Sequence, residues 1–426
     1  MKKSKKRVAF ILTLVMIAGC LFGCRAKSEK KDVDSNGEKT ITVWHYANDR
    51  EDLLNQLAEE YYQETGIKVV MELYSGDQMA SKIRTAASSG ELPDAWYFAG
   101  GKGDMDEYAK AGNIKKIEAD WLDRFPENVL AQVSFTDDDT YDTPAGTYGI
   151  PFDLNNMQMV YNKDLFEQAG IGAENIPETW EEFIDVCKKL KSNGIIPFAT
   201  GVGSWGGASL AEAYQYAYID MEELTKACLE EPQATYEEIG MVKVLSLFEE
   251  LAKNDLLSPG ISTMDLPSAE QMFANGQVGI LYDGSWVIGV LEGMNPDFSN
   301  WGVFPLPQPE DAPYEVKLPG GCSWMVISGD ADDETLDFME WLTAKEQQVV
   351  YSNATSNLPA NTEAVNLDGL KVQASEFADD MDKVYSSVPV NPRAEVAEIM
   401  TQGIQMICIG EKTPEEVVRE MDAANK

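Results

Sequence analysis

Apolar positions between residues 40 and 100 alternate between two periods. Thr40–His45 is a short β-rich run, and Leu54, Leu57, Ala58 and Tyr61 then fall at helical spacing within Glu51–Thr65. Gly66 stops that helix, and Ile67–Leu73 reads as a second strand. A helix over Met79–Ser88 leads through Gly90 and Pro93-Asp94 into the apolar run Ala95–Ala99. Strand, helix, strand, helix, strand with short loops predicts an α/β fold: a doubly wound, mostly parallel sheet with helices on both faces. Ligands of such sheets sit beyond the carboxyl ends of the strands. The loops after Trp44 and after Phe98 are therefore candidate site loops.

The same grammar returns in the middle of the chain. Thr179–Ser192 reads as a helix and Ile195–Ala199 as a strand. A helix ends at Gln271–Phe273, and the strand Val278–Tyr282 runs into Asp283-Gly284-Ser285-Trp286. The last third is mainly helical, with Asp333–Thr343, Ala344–Ser352 and Glu395–Ile409 the clearest segments. Residues 40–426 are enough chain for two large domains.

The N-terminus is of another kind. Lys2, Lys3, Lys5, Lys6 and Arg7 precede the uncharged apolar run Val8–Gly23, the pattern of a secretory signal peptide. The run is short of the roughly 20 apolar residues that a spanning helix needs. Ile17-Ala18-Gly19-Cys20 and Leu21-Phe22-Gly23-Cys24 each resemble a bacterial lipobox, where cleavage before Cys frees a thiol for a diacylglycerol. Bulky Phe22 makes the first the better fit. The expectation is a signal peptide over residues 1–19 and lipidation of Cys20, with Cys24 as the alternative. Residues 20–39 then form a polar, flexible tether, which leaves the protein lipid-anchored on the outer face of the cell membrane.

Formal net charge is −38, and removal of residues 1–19 takes away five positive charges and no negative one, leaving −43. Such a surface repels nucleic acid and anionic lipid heads, and it suits solubility outside the cell. Cys187, Cys228, Cys322 and Cys408 are too widely spaced for a disulfide framework or a zinc pattern, and their pairing stays open. The sole histidine, His45, supports neither metal binding nor a catalytic triad. Gly201-Val-Gly-Ser-Trp-Gly206 is a literal G-x-G-x-x-G, but Asp220 falls at the end of a helical segment and not after a second strand, so dinucleotide binding is set aside. The acidic loop Asp137-Asp138-Asp139 lacks calcium-loop spacing. No cofactor and no metal are expected.

A set of ordered landmarks covers essentially the whole mature chain: Thr40–Trp44, Glu64–Val69, Pro93-Asp94, Tyr148–Pro151, Tyr161–Leu165 and Pro177–Phe183, then Phe273–Gly276, Gly284–Trp286 and Leu318–Gly321. In this order, behind a lipobox, the chain resembles the extracellular solute-binding protein family 1, the sugar-binding components of ABC importers that include maltose-binding protein. The resemblance implies a two-lobed periplasmic-binding-protein-like fold of type II with three hinge crossovers, near Phe152, Gly320 and Val388. Lobe 1 would comprise residues 40–151 and 322–386, and lobe 2 residues 153–319 and 389–426. It also implies a monomer that binds a mono- or oligosaccharide between the lobes and passes it to permease subunits in the membrane.

Site candidates follow. Trp286, in a Gly-Ser-Trp turn after a strand, matches a tryptophan that stacks on a pyranose ring in sugar-binding relatives; the competing reading is a core tryptophan under a loop. Asp153 and Asn155 alternate along extended chain at the first crossing and so face the same way, toward ligand or toward hinge hydrogen bonds. Tyr46, Asn48, Phe98 and Lys102 occupy the loops after the first and third strands of lobe 1, and correspond roughly to ligand-contacting positions in the family. Gly100-Gly101 replaces residues that tend to be charged there, which speaks against maltodextrin itself. Gly320 and Gly321 are expected to admit close backbone approach at the second crossing. Trp324 and Arg393 lie near the second and third crossings, Arg393 serving a ligand or a surface ion pair. Trp205 is a candidate second stacking platform. Two other functions compete with sugar capture: a secreted carbohydrate-active enzyme, which needs two carboxylates across the scissile bond, and a binding lipoprotein for a non-sugar solute.

Overall fold

The computed structural model describes residues 39–98, 100–137, 141–229, 231–364, 372–380, 383–385 and 393–426. The signal peptide and tether with Cys20 and Cys24, the loop residues Asp138 and Asp139, and the third crossing near Val388 lie outside the described residues. The strands are β1 (Thr40–His45), β2 (Lys68–Leu73), β3 (Ala95–Tyr97), β4 (Ser134–Phe135), β5 (Gly146–Thr147) and β6 (Ile150–Asn162), then β7 (Ile196–Ala199), β8 (Val278–Gly284), β9 (Trp301–Phe304), β10 (Leu318–Ile327), β11 (Leu358–Pro359) and β12 (Val384–Tyr385).

The predicted β-α-β-α-β start is present. The helix Glu51–Thr65 buries Leu54, Leu57, Ala58 and Tyr61, and Gly66 closes it in the left-handed region at φ 74°. It returns the chain so that β1 lies parallel to β2, and the helix Gly76–Ser89 returns it again to place β3 parallel to β1 on the other side. In the second lobe Thr179 caps the helix Trp180–Ser192 through its side chain, and that helix delivers β7 parallel to β8.

The main sheet runs in the order β2-β1-β3-β10-β6-β8-β7. Parallel pairing holds at its two ends, whereas β6 and β10 run antiparallel to each other and to their neighbours β8 and β3. These two strands are common to both lobes. Phe152 on β6 and Met325 on β10 belong to the apolar core that holds Val43, Leu57, Phe338 and Tyr351. Met157 on β6 and Leu318 on β10 belong to the core that holds Phe183, Phe198, Phe248 and Ile280. Between those points the strands are mainly polar and glycine, with Asp153, Asn155 and Asn156 opposite Ser323, Gly321 and Gly320 and the apolar pair Leu154–Cys322 among them. Apolar burial is the main stabilising term in a fold of this kind, and along this stretch it is supplied by a small cluster of Cys322, Val129 and Val133 with Leu154 and Trp324 against it. The helices Ala394–Cys408 and Pro414–Ala424 pack into the second lobe.

Cys187, Cys228, Cys322 and Cys408 are all buried free thiols, which settles their pairing. The glycines of the G-x-G-x-x-G run face protein. A Cβ on Gly201 would come within 2.7 Å of the Leu266 backbone nitrogen, and one on Gly203 within 2.4 Å of the Thr263 carbonyl carbon. The close approach they permit is thus to the segment before the helix Leu266–Ala274, and Asp220 caps the following helix by accepting from the Glu222 N–H at 2.9 Å.

Candidate functional site

In the second lobe, β8 ends at Gly284 and the chain turns at once into the helix Val287–Met294. The Ser285 N–H donates to the Asn156 carbonyl at 2.9 Å, which ties the turn to the crossing strand β6. The Trp286 indole folds back over Gly284, where a Cβ would come within 2.2 Å of the ring. Only glycine lets the indole lie there. Trp286 is half-buried, and its ring centroid is 5.9 Å from that of Trp205 at an interplanar angle of 56°. Trp205, 45% exposed, stands at the N-terminus of the helix Gly206–Tyr218. The structure therefore brings the two predicted stacking residues together as a two-ring platform, although 81 positions separate them in the chain.

Beneath this platform two carboxyls share a buried place. Burial pushes Asp283 well above the usual carboxylate range, with Glu270 beside it adding to the effect. Burial likewise lifts Glu270 to about 7. Like charges side by side in a dry site oppose each other's ionisation, so each carboxyl favours the protonated form of the other. Asp283 Oδ1 accepts from the Gly284 N–H at 2.7 Å, which fixes the start of the turn.

On the first lobe Phe98 is buried in an apolar core with Met79, Ile83, Trp96 and Met105, and Tyr46 and Trp324 pack against that core partly exposed. The Tyr46 hydroxyl donates to the Phe98 carbonyl at 3.3 Å, and burial followed by the nearby Asp153 charge raises it to about 12. Phe98 stacks on Trp324 at 5.9 Å and 19°. The Trp324 indole N–H is buried and has no acceptor among the described residues. Lys102 starts the helix Lys102–Lys110 and holds its ammonium 5.2 Å from the Phe135 ring centre, a cation–π contact. Asn48 is exposed. His45 is fully buried, and burial followed by the Arg50 charge lowers it to about 4, so it is neutral at pH 7.

The crossing strands hold the rest. Asp153 is 2% exposed, and its Oδ2 accepts from Arg50 Nη1 at 2.6 Å and from the Tyr351 hydroxyl at 2.5 Å. Arg50 Nε also donates to Asp49 Oδ1 at 3.0 Å. The Asp153 carboxylate is thus already engaged within the protein. The Asn155 amide donates to Ser323 Oγ at 3.2 Å across the β6–β10 pairing. A Cβ on Gly320 would stand 2.4 Å from the Asn155 carbonyl, and one on Gly321 2.1 Å from Gln132 Oε1. The tight approach at both glycines is to neighbouring chain. Arg393 is apart from the group: its guanidinium donates to the Lys426 carbonyl at 2.9 Å, at the chain's end.

Sequence reasoning missed Arg50 and Tyr351, which reach Asp153 from 103 and 198 positions away. It also missed a second ring pair, Tyr216 and Tyr385, stacked at 4.2 Å and 28°. Tyr216 had a legible signal: it lies on the helical face of Trp205, eleven positions on.

Residues 56–380 match the family described as bacterial extracellular solute-binding protein. A binding protein of Brucella abortus is 23% identical over 420 residues, covering 96% of this chain and 97% of that one. The sn-glycerol-3-phosphate-binding periplasmic protein UgpB of Rhizobium meliloti is 27% identical over 236 residues, 53% of this chain and 52% of its own. Among solved structures, an ABC transporter solute-binding protein of Thermotoga lettingae bound with α-D-tagatose superposes with a TM-score of 0.75 at 20% identity, covering 91% of this chain and 99% of that one.

Proposed function

This chain belongs to the bacterial extracellular solute-binding protein family, and on that premise we propose that it captures a mono- or oligosaccharide between its lobes and delivers it to the permease of an ABC importer. The observation that carries the reading is the Trp205–Trp286 platform on one lobe, with the partly exposed rings of Tyr46 and Trp324 packed on Phe98 on the other. Flat apolar rings cover the C–H faces of a sugar while peripheral polar groups take its hydroxyls. The tagatose held by the Thermotoga lettingae protein supports the same class of solute.

In this reading residues 40–151 and 322–386 form lobe 1, residues 153–319 and 389–426 form lobe 2, and the crossings near Phe152, Gly320 and Val388 are the hinge. Sugar shifts the population toward the closed form by its preferential affinity for that form. The protein acts as a monomer, held at the outer face of the membrane by lipid on Cys20, or on Cys24 in the alternative. It performs no chemistry on its cargo. Glycoside hydrolysis needs two carboxyls separated across the bond, whereas Asp283 and Glu270 face each other and Asp153 is tied to Arg50 and Tyr351.

A thermal-shift screen across saccharides, peptides, amines and sn-glycerol 3-phosphate tests this. At least one saccharide is expected to raise the melting temperature and to be recovered unchanged. Stabilisation by sn-glycerol 3-phosphate alone, or conversion of the saccharide, would overturn the reading.

A further inference from the structure

The helix Gly206–Tyr218 is buried along most of its length. Gly206, Gly207, Leu210, Ala211, Ala213, Tyr214, Gln215 and Ala217 are buried. Ala208, Ser209, Glu212 and Tyr216 are half-open, and at 3.6 residues per turn they share one face with exposed Trp205. This open stripe begins at the Trp205–Trp286 platform and reaches Glu212 about 10 Å further along the helix. Ser209 Oγ lies 3.2 Å from the Tyr282 hydroxyl, and Tyr385 lies stacked on Tyr216. Glu212 thus sits between a tryptophan pair and a tyrosine pair.

Glu212 has no hydrogen bond and no ion pair among the described residues. Among the described residues it is surrounded by the phenols of Tyr216, Tyr282 and Tyr385, by Gln215, Cys228 and Tyr236, and by the apolar side of the helix Ala394–Cys408. Burial alone lifts its carboxyl to about 7. A carboxyl taken from water with no compensating cation is costly, and that cost falls only when a donor, best a charged one, arrives. Among the described residues no cation shifts the Glu212 carboxyl. Near the platform Glu270 and Asp283 are acidic, and Arg50 already serves Asp49 and Asp153. A phosphate on this stripe would meet carboxylate and π faces, both repulsive to it. An ammonium would meet a carboxylate and two ring faces, each attractive.

We propose that Glu212, with Tyr216 and Tyr385 beside it, forms a subsite for a protonated amine, so that the preferred saccharide carries an unacetylated amino group. This rests on the saccharide reading above and narrows it. The platform takes a sugar ring, and the amine of that ring or the next reaches Glu212.

Three β-1,4-linked disaccharides that differ at C2 test the idea by calorimetry on the full soluble chain at pH 7: the glucosamine dimer with free amines, its diacetylated form, and cellobiose. The free-amine dimer is expected to bind about tenfold or more tightly than cellobiose, in line with one charge-assisted contact. In Glu212→Gln, a near-isosteric change whose folding is checked by its melting curve, that ratio is expected to fall to about threefold or less. A ratio unchanged in Glu212→Gln overturns the subsite, as does cellobiose or the acetylated dimer binding as well as the amine, or no binding by any of the three. If neutral sugars bind while the amine does not, only the subsite is lost. If no saccharide of any kind binds, the function itself is wrong.

Discussion

Asp49 Oδ2 stands 3.1 Å from the point where a Cβ on Gly289 would sit, so a turn of the first lobe rests directly against the helix Val287–Met294 of the second. A bare Cα at 289 is what lets the carboxylate come so near. In the proposed hinge motion this contact would open as the lobes part. Gly289→Val is expected to leave the melting temperature of the free protein little changed and to weaken saccharide binding severalfold. Calorimetry on the variant checks this, and an unchanged dissociation constant would remove Gly289 from the closing surface.

The tryptophan platform should dominate affinity. Trp286→Ala removes the ring that covers Gly284 and pairs with Trp205. Loss of a central aromatic anchor commonly costs about 2 kcal/mol or more, roughly thirtyfold in dissociation constant. Titration calorimetry on a variant with an intact circular dichroism spectrum reads the change directly. Affinity within a factor of about two of the parent would take Trp286 out of the site.

Arg50 holds Asp49 and Asp153 in a place almost without water. Burial alone would make the guanidinium easier to deprotonate, but the charges of Tyr351, Asp49 and Asp153 around it raise its pKa instead. Arg50→Ala leaves two carboxylates there with no cation. Breaking a buried pair in this way costs roughly 3–5 kcal/mol of stability, and urea unfolding should show it. A loss below about 1 kcal/mol, typical of an exposed pair, would mean that the network is open to solvent.

The Glu270–Asp283 pair makes stability fall as pH rises. Glu270 is lifted from 4.5 to about 7, so between those values the folded chain binds more protons than the unfolded one. Its contribution is fully present below about 4.5 and is lost as pH climbs to about 7. His45, lowered to about 4, acts in the opposite sense between 4 and 6.5, so the test compares variants and not a single curve. Around the pair stand Asp49 and Asp265, both of which favour the protonated form. Glu270→Gln should gain on the parent as pH rises from 5 to 8 in denaturant titrations. Parallel curves would show that burial does not raise Glu270 in the folded chain.

The outer parts of the fold were legible because each strand and helix there repeats its own period: Glu51–Thr65 and Trp180–Ser192 match the sequence reading to within one residue. The crossing strand β6 was not. Its thirteen residues include Asp153, Asn155, Asn156 and Gln158, and this polar middle hides a continuous strand that is buried by both lobes. In the candidate site, the turn that carries Trp286 was legible in the sequence, whereas its pairing with Trp205 needed the fold. The sequence placed Asp153 at a crossing without revealing Arg50 or Tyr351, since an ion pair between distant positions leaves no local pattern. Gly320 and Gly321 carried the signal of close approach, and the neighbours approached, Asn155 and Gln132, are likewise supplied by the fold.

The central claim is that a saccharide draws two lobes together about β6 and β10. Small-angle scattering on the soluble chain, recorded with and without the saccharide that gives the largest thermal shift, tests it most directly. The radius of gyration should shrink on addition of that sugar, with tryptophan fluorescence changing over the same concentrations as Trp205 and Trp286 are covered. A sugar that saturates the protein in calorimetry and leaves the scattering curve unchanged would contradict the hinge and leave a fixed cleft in its place.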